Sequence, residues 1–318
     1  MGIMDEVEQL ARSGRLGEAV QLVGERARSD PDAMLILANW RLWGMYGPRD
    51  LAEAHRLLEA AAAAGSAEAA LQLATLVNNG AGGPADPDKA RGILQQWRHE
   101  PHAAEQLDLL DAMPTHPDAD IEELSADPPI RLVRNLFSDA ECDYVLRRAG
   151  PELRPSMIID EATGRPRPHP VRTSYSMNFG PPDEDLVIHA LNRRIAALTG
   201  TDYAAGEPLH VLRYTPGQEF RPHLDAISGA TNQRQWTAIV YLNAGFGGGE
   251  TDFPELGIRT LGGKGDGLVF RNATPDGAAD QRARHAGLPV TSGEKWVASR
   301  WIRQQPYEPE MAGGGPHG

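Results

Sequence analysis

A pattern that returns at a fixed interval constrains a fold more tightly than any single motif, and this chain carries one. Leu37-Ala38 returns as Leu73-Ala74, Gly44 as Gly80, Asp50 as Asp86, Ala54 as Ala90 and Leu57-Leu58 as Ile93-Leu94, every pair 36 positions apart. A less complete copy precedes these, with Ala19 and Leu22 lying 35 positions before Ala54 and Leu57. Small residues let two helices approach closely, glycine ends the first helix, and aspartate opens the second, where its charge favours the dipole. Each unit reads as a helical hairpin that buries its apolar stripe only by stacking on its neighbours. Residues 1–113 are therefore expected to form a short α-helical solenoid.

Residues 114–129 are rich in proline and acids, without periodicity, and read as a linker. Beyond it the character changes. Ser138 followed three residues later by Glu141 is a capping box opening a helix to about Ala149. Residues 155–170 hold four prolines and several charges and read as a mobile loop near an entrance. Arg172 to Met177 alternates like a strand, and Asp183 to Leu198 reads as an amphipathic helix. Short strands then follow at about 207–214, 218–224, 235–242, 258–261, 266–271, 283–287 and 294–303, divided by glycine and proline. That pattern suggests a sandwich or barrel rather than a parallel sheet. The domain is expected to span 130–306, with 307–318 a flexible tail.

Within this domain His223 and Asp225 are two residues apart, so on a strand both point to one side. His285 and then Lys295 follow. Two histidines and one carboxylate suit a non-haem Fe(II) oxygenase, since they hold one face of an octahedron and leave three positions open. The lysine supplies a positive charge for an anionic co-substrate. A His-x-Asp triplet alone is weak, because His116-Pro117-Asp118 is a second one in a stretch with no other sign of a site. Gly262 to Gly267 lacks the Gly-Lys-Ser/Thr ending of a phosphate loop and reads as a turn into a strand.

The surroundings of the triplet decide the matter. Leu136-Phe137-Ser138-x-x-Glu141-Cys142, Arg172-Thr173-Ser174, Tyr214-x-x-Gly217-Gln218-x-Phe220-x-x-His223-x-Asp225, Tyr241-Leu242-Asn243, Gly248-Gly249-Glu250-Thr251-x-Phe253-Pro254, Lys264-Gly265-Asp266-Gly267-Leu268-x-Phe270 and His285-x-Gly287-x-Pro289-Val290-x-x-Gly293-x-Lys295-Trp296 occur in this order. Together they resemble the prolyl 4-hydroxylase branch of the Fe(II)/2-oxoglutarate dioxygenases. The repeats over roughly 32–100 resemble Sel1-like repeats, relatives of the tetratricopeptide family.

The first resemblance implies a double-stranded β-helix, or jelly roll, with supporting helices, in which His223 and Asp225 share one strand and His285 lies on a later, facing one. It implies Fe(II) on those three residues, with 2-oxoglutarate and O2 as co-substrates and ascorbate as a candidate auxiliary. Lys295 would pair with the distal carboxylate of 2-oxoglutarate, helped by Tyr214, Tyr241 and Thr251. Arg234 and Trp301 fall where related enzymes touch substrate or co-substrate, with a plain core residue as the other reading of Trp301; His169, in the proline-rich loop, reads as a solvated loop histidine, with a place near the entrance as the alternative. The reaction implied is hydroxylation of an unactivated C–H bond, on a prolyl or other residue of a peptide or protein, coupled to decarboxylation of 2-oxoglutarate to succinate. The second resemblance implies that the repeats dock a protein substrate or self-associate as a homodimer, and a short solenoid that only buttresses the second domain stays open beside it. Hydroxylation of a free amino acid or small natural product stays open as the alternative, and an inactive peptide-binding module as a further one.

Composition trims the list of partners. The formal charge of −13 repels phosphate backbones and argues against nucleic acid. No stretch approaches about 18 uninterrupted apolar residues, so no membrane span is expected. An acidic start, without the basic and apolar run of a secretion signal, and one cysteine, Cys142, fit a reducing, cytoplasmic setting.

Overall fold

The computed structural model describes residues 2–114, 120–159, 166–168, 171–274 and 276–307. Backbone contacts divide the chain into two compact units, residues 1–113 with 181–189, and residues 114–180 with those from 190 onward.

The first unit is helical: α1 (Ile3–Arg12), α2 (Leu16–Arg26), α3 (Pro31–Trp43), α4 (Leu51–Ala63), α5 (Ala67–Asn79), α6 (Pro87–Gln96) and α7 (Pro101–Ala112). The repeated residues are its punctuation. Gly44 and Gly80 end α3 and α5 in the left-handed conformation, at φ 66° and 68°. Glycine reaches this region without a Cβ clash. Asp50 and Asp86 cap α4 and α6, each accepting from the backbone N–H three residues on, at 2.8 and 2.9 Å. Ala19, Ala54 and Ala90, on α2, α4 and α6, are all fully buried, as close helix approach requires. The unit also takes in residues 181–189, which the sequence places with the second domain. Leu186 joins the helical core, and Asn79 Nδ2 donates to Pro181 O and Glu184 O.

The second unit departs from expectation at its start. Residues 120–126 of the expected linker form a strand, β1 (Asp120–Ala126), which pairs with β2 (Pro129–Arg134). Helix α8 (Asp139–Ala149) follows, with both halves of its capping box made. Next come β3 (Arg154–Pro155), β4 (Met157–Ile159), β5 (Pro166–Pro168), β6 (Tyr175–Phe179) and α9 (Leu186–Thr199). β4 and β5 pair with one another, so the expected loop at 155–170 holds a two-stranded pairing. His116 and His169 lie outside the described residues. The remaining strands are β7 (Leu209–Tyr214), β8 (Phe220–His223), β9 (Arg234–Tyr241), β10 (Gly247–Gly248), β11 (Thr251–Phe253), β12 (Ile258–Thr260), β13 (Gly267–Arg271), β14 (His285–Gly287), β15 (Val290–Ser292) and β16 (Lys295–Arg303).

The strands form an eight-stranded sheet in the order β1-β2-β13-β9-β16-β7-β6-β3, a four-stranded sheet in the order β12-β11-β14-β8 and a separate pair of β10 with β15. All pairings are antiparallel. Leu212, Tyr214, Tyr241, Phe270 and Val297 of the large sheet pack with Phe253 of the small one in a shared apolar core. Of the expected tail, Tyr307 alone is described, and it is tied down: its N–H donates to Ala204 O at 2.7 Å. No helix among the described residues is long and apolar enough to cross a membrane.

One buried cation fixes the back of the large sheet. Arg300 on β16 is 2% exposed and donates to the carbonyls of Asn192 at 2.7 Å and of Glu207 and Tyr203 at 3.1 Å. Gly206 makes room for it, since a Cβ there would lie 2.2 Å from the guanidinium carbon. Its φ of −82° is ordinary, so the demand is for space. Gly206→Ala is expected to cost about 1–3 kcal/mol, as overpacking does, visible as a lower denaturant midpoint for this unit.

Candidate active site

His223 ends β8 and His285 opens β14, and the two are direct partners in the antiparallel register. This corrects the expectation of facing strands: the histidines sit on hydrogen-bonded neighbours of one sheet, with ring centroids 4.3 Å apart. Asp225 is not on the strand with His223 either. It lies just past the end of β8, in a segment that Gln233 clips by accepting from Ile227 N at 2.7 Å and donating to Ile227 O at 2.8 Å. Asp225 Oδ1 is 3.4 Å from His223 Nε2, and Oδ2 is 3.7 Å from His285 Nε2. One donor atom from each residue lies within 4.8 Å of the others, the one such group of three among the described residues.

The imidazoles are oriented from behind. His223 Nδ1 donates to Arg221 O at 2.8 Å and His285 Nδ1 to Ala283 O at 3.0 Å. Each bond leaves Nε2 as the lone-pair nitrogen facing the centre, the tautomer a metal ligand needs. Phe220 stacks on His223 at 3.5 Å, and Phe270 meets His285 edge-on at 4.6 Å. His223 Nε2 is buried without a hydrogen-bond partner. An orphaned lone pair beside a second imidazole and a carboxylate is what a 2-His-1-carboxylate iron site presents, so the residues fit such an ion.

Charge follows geometry. Burial holds His285 down to about 4, against the pull of Asp225, so its imidazole is neutral at ordinary pH. Burial would raise Asp225, yet the two neighbouring imidazoles and the Thr237 hydroxyl outweigh it and hold the carboxyl well below the usual carboxylate range. The centre thus sets the neutral imidazole of His285 beside one ionised carboxylate.

A cavity of about 550 Å³, counting space open to solvent, adjoins the triad. Lys295, Val297, Ser299 and Trp301 all line it, as strand alternation along β16 requires. Lys295 is 5% exposed, and its ammonium donates to Gly249 O at 2.6 Å, with no carboxylate within ion-pair distance among the described residues. Burial lowers it to about 8, partly offset by Glu250. Tyr214 and Thr251 share the cavity wall. Tyr241 lies outside that wall, fully buried, with its hydroxyl 3.4 Å from Thr251 Oγ1. Burial raises both tyrosines, Tyr214 to about 12, so both stay neutral donors.

A wider cavity of about 1150 Å³, largely open, shares His223, Asp225 and Trp301 with the first. Arg234 lines it, but its guanidinium is already engaged by Glu207 through two bonds of 2.7 Å. The same guanidinium lies 4.0 Å from the centroid of the Trp301 ring. Glu207 also accepts from Arg303 Nε at 2.8 Å. Sequence reasoning missed Glu207, His210, Thr237 and Asn272. His210 was legible, since alternation puts it on the face of β7 that carries Leu212 and Tyr214. The other three carry no such signal.

Residues 209–303 match the model of the 2OG-Fe(II) oxygenase superfamily. Prolyl 4-hydroxylase 1 of Arabidopsis thaliana is 36% identical over 203 residues, covering 58% of this chain and 72% of that protein. Probable prolyl 4-hydroxylase 10 of the same plant is 32% identical, covering 59% and 73%. Among solved structures, the viral collagen prolyl hydroxylase of Paramecium Bursaria Chlorella virus-1, in its 2OG complex, aligns with a TM-score of 0.45 and 31% identity, over 55% of this chain and 95% of that one.

Proposed function

Because this chain belongs to the prolyl 4-hydroxylase family of 2-oxoglutarate-dependent dioxygenases, we propose that it hydroxylates a prolyl residue of a peptide or protein, with His223, Asp225 and His285 as the ligands of its Fe(II). The observation that carries the reading is the convergence of these three donors beside a buried ammonium that has one backbone acceptor. Fe(II), with O2 and 2-oxoglutarate, supplies the oxidation: 2-oxoglutarate becomes succinate and carbon dioxide, and a C–H bond of the substrate becomes C–OH.

The protein's own residues bind, orient and exclude water. Lys295 takes the distal carboxylate of 2-oxoglutarate, whose burial would otherwise be costly, and Tyr214 and Thr251 offer it hydroxyls. Tyr241 supports Thr251 from behind. Phe220 and Phe270 keep the imidazoles dry and fixed. Arg234, held by Glu207 and stacked over Trp301, forms the wall along which substrate approaches.

The two sheets sharing one apolar core are read as the halves of a double-stranded β-helix, and the capped hairpins of the first unit as Sel1-like repeats that dock the protein substrate. A single cysteine, buried and unpaired, supports a reducing, cytoplasmic setting. Proline-containing peptides incubated with the full chain, Fe(II), ascorbate and 2-oxoglutarate are expected to gain the mass of one oxygen atom and to release succinate. His223→Ala should give neither. Hydroxylation of free proline but of no peptide would move the substrate class to small molecules.

A further inference from the structure

A buried relay stands behind Asp225. Thr237 Oγ1, from β9 of the large sheet, donates to Asp225 Oδ2 at 2.6 Å, and Asn272 Nδ2 donates to Thr237 Oγ1 at 2.7 Å. Both relay residues are 1% exposed. The direction of each bond is forced. An ionised carboxylate only accepts, so the single hydroxyl hydrogen of Thr237 points at Asp225, and the lone pair left on Oγ1 takes the Asn272 amide. Asn272 is held in turn by its backbone, donating to Gln235 O at 2.8 Å and accepting from Asp280 N at 3.0 Å. Its Oδ1 is buried without a partner. A side chain that leaves one buried acceptor unmade while donating to Thr237 carries a cost of about 1–3 kcal/mol, which marks the donation as the useful contact.

The relay matters because of where Asp225 sits. Past the end of β8 it has no ladder to fix its direction, unlike His223 and His285, which pair in register. Oδ2 lies 3.7 Å from His285 Nε2 but already accepts from Thr237, so Oδ1, 3.4 Å from His223 Nε2, is the oxygen with no side-chain donor of its own.

We propose that Thr237, oriented by Asn272, is the positioning residue that makes Asp225 a one-oxygen ligand. This deepens the reading of His223, Asp225 and His285 as a metal site and rests on it. Supporting groups of this kind contribute about 10–100-fold to metal affinity.

The test uses the full chain and Co(II) alone, whose visible absorption reports its coordination. Thr237→Val, nearly isosteric, is expected to weaken Co(II) binding by about 10–100-fold and to alter the absorption bands. Thr237→Ser should restore both, and Asn272→Leu should show a smaller loss while leaving Asp225 and Thr237 in place. Thr237→Val with the wild-type dissociation constant and spectrum would overturn the relay while leaving the triad standing. Wild-type chain that fails to take up Co(II) would overturn both. Should Thr237→Val not fold, the Ser variant and Asn272→Leu decide: equal affinity and spectra in Asn272→Leu and wild type would refute the orienting step.

Discussion

Lys295→Met is expected to raise the KM for 2-oxoglutarate by about two to three decades, the usual cost of truncating one partner of a buried charge pair, and to make the ligand-free chain more stable. The two effects share one cause. Burial holds the ammonium at about 8 instead of its ordinary 10.5, so at neutral pH the folded chain carries a charge that it would hold more easily unfolded. The difference corresponds to about 3 kcal/mol. The sign is that of a depressed cation: the penalty is full below about 8 and fades as the pH rises toward 10.5, since the folded form sheds its proton first. Ligand-free wild type should therefore melt higher as the pH rises through that window. Over the same rise kcat/KM for 2-oxoglutarate should fall about tenfold per pH unit. Lys295→Met should show neither trend in paired melting and steady-state measurements. A methionine variant that saturates with 2-oxoglutarate like wild type would remove Lys295 from the binding site.

Asp225→Ala is expected to abolish peptide hydroxylation, by at least about 10³-fold, given that loss of a group supporting a ligand alone costs ~10–100-fold. The substitution removes the only negative charge among the three donors, and imidazoles alone cannot balance a divalent ion. It also strands the Thr237 hydroxyl in a buried site. Succinate release without peptide should fall together with hydroxyproline formation, because both need the ion. Succinate release that persists while hydroxylation stops would place Asp225 at the substrate rather than at the metal.

The helices of the first unit were legible because their punctuation is periodic: glycines at φ 66° and 68° and a capping aspartate cannot be exchanged for average residues without loss. The seven strands expected from 207 to 303 all formed, because alternation and glycine turns mark each one. β10, β11 and β15, of two or three residues, were not anticipated, whereas the equally short β12 and β14 were expected as parts of the longer stretches 258–261 and 283–287. β1 was missed for a different reason. Its residues are acidic and mostly exposed, so it is defined by pairing with β2 and carries little apolar signal of its own. The four site groups were named from the order of the family-like motifs around them, the spacing of His223 and Asp225 being weak alone, and the place of Asp225 was not legible. Its direction depends on Thr237 and Asn272, a threonine in a β-rich run and an asparagine after another strand, and nothing local in either distinguishes it from a structural residue.

The pairing of His223 with His285 across β8 and β14 ties site assembly to sheet alignment. Side chains alternate faces along a strand, so a slip of one position between these two would turn one imidazole outward. β8 lies at the edge of its four-stranded sheet and spans four residues, with an isolated bridge between Phe220 and Arg172 on its other side. Any ion gripping both imidazoles would act as a clasp on that alignment, so ion uptake and correct threading of this hairpin-distant pair reinforce one another.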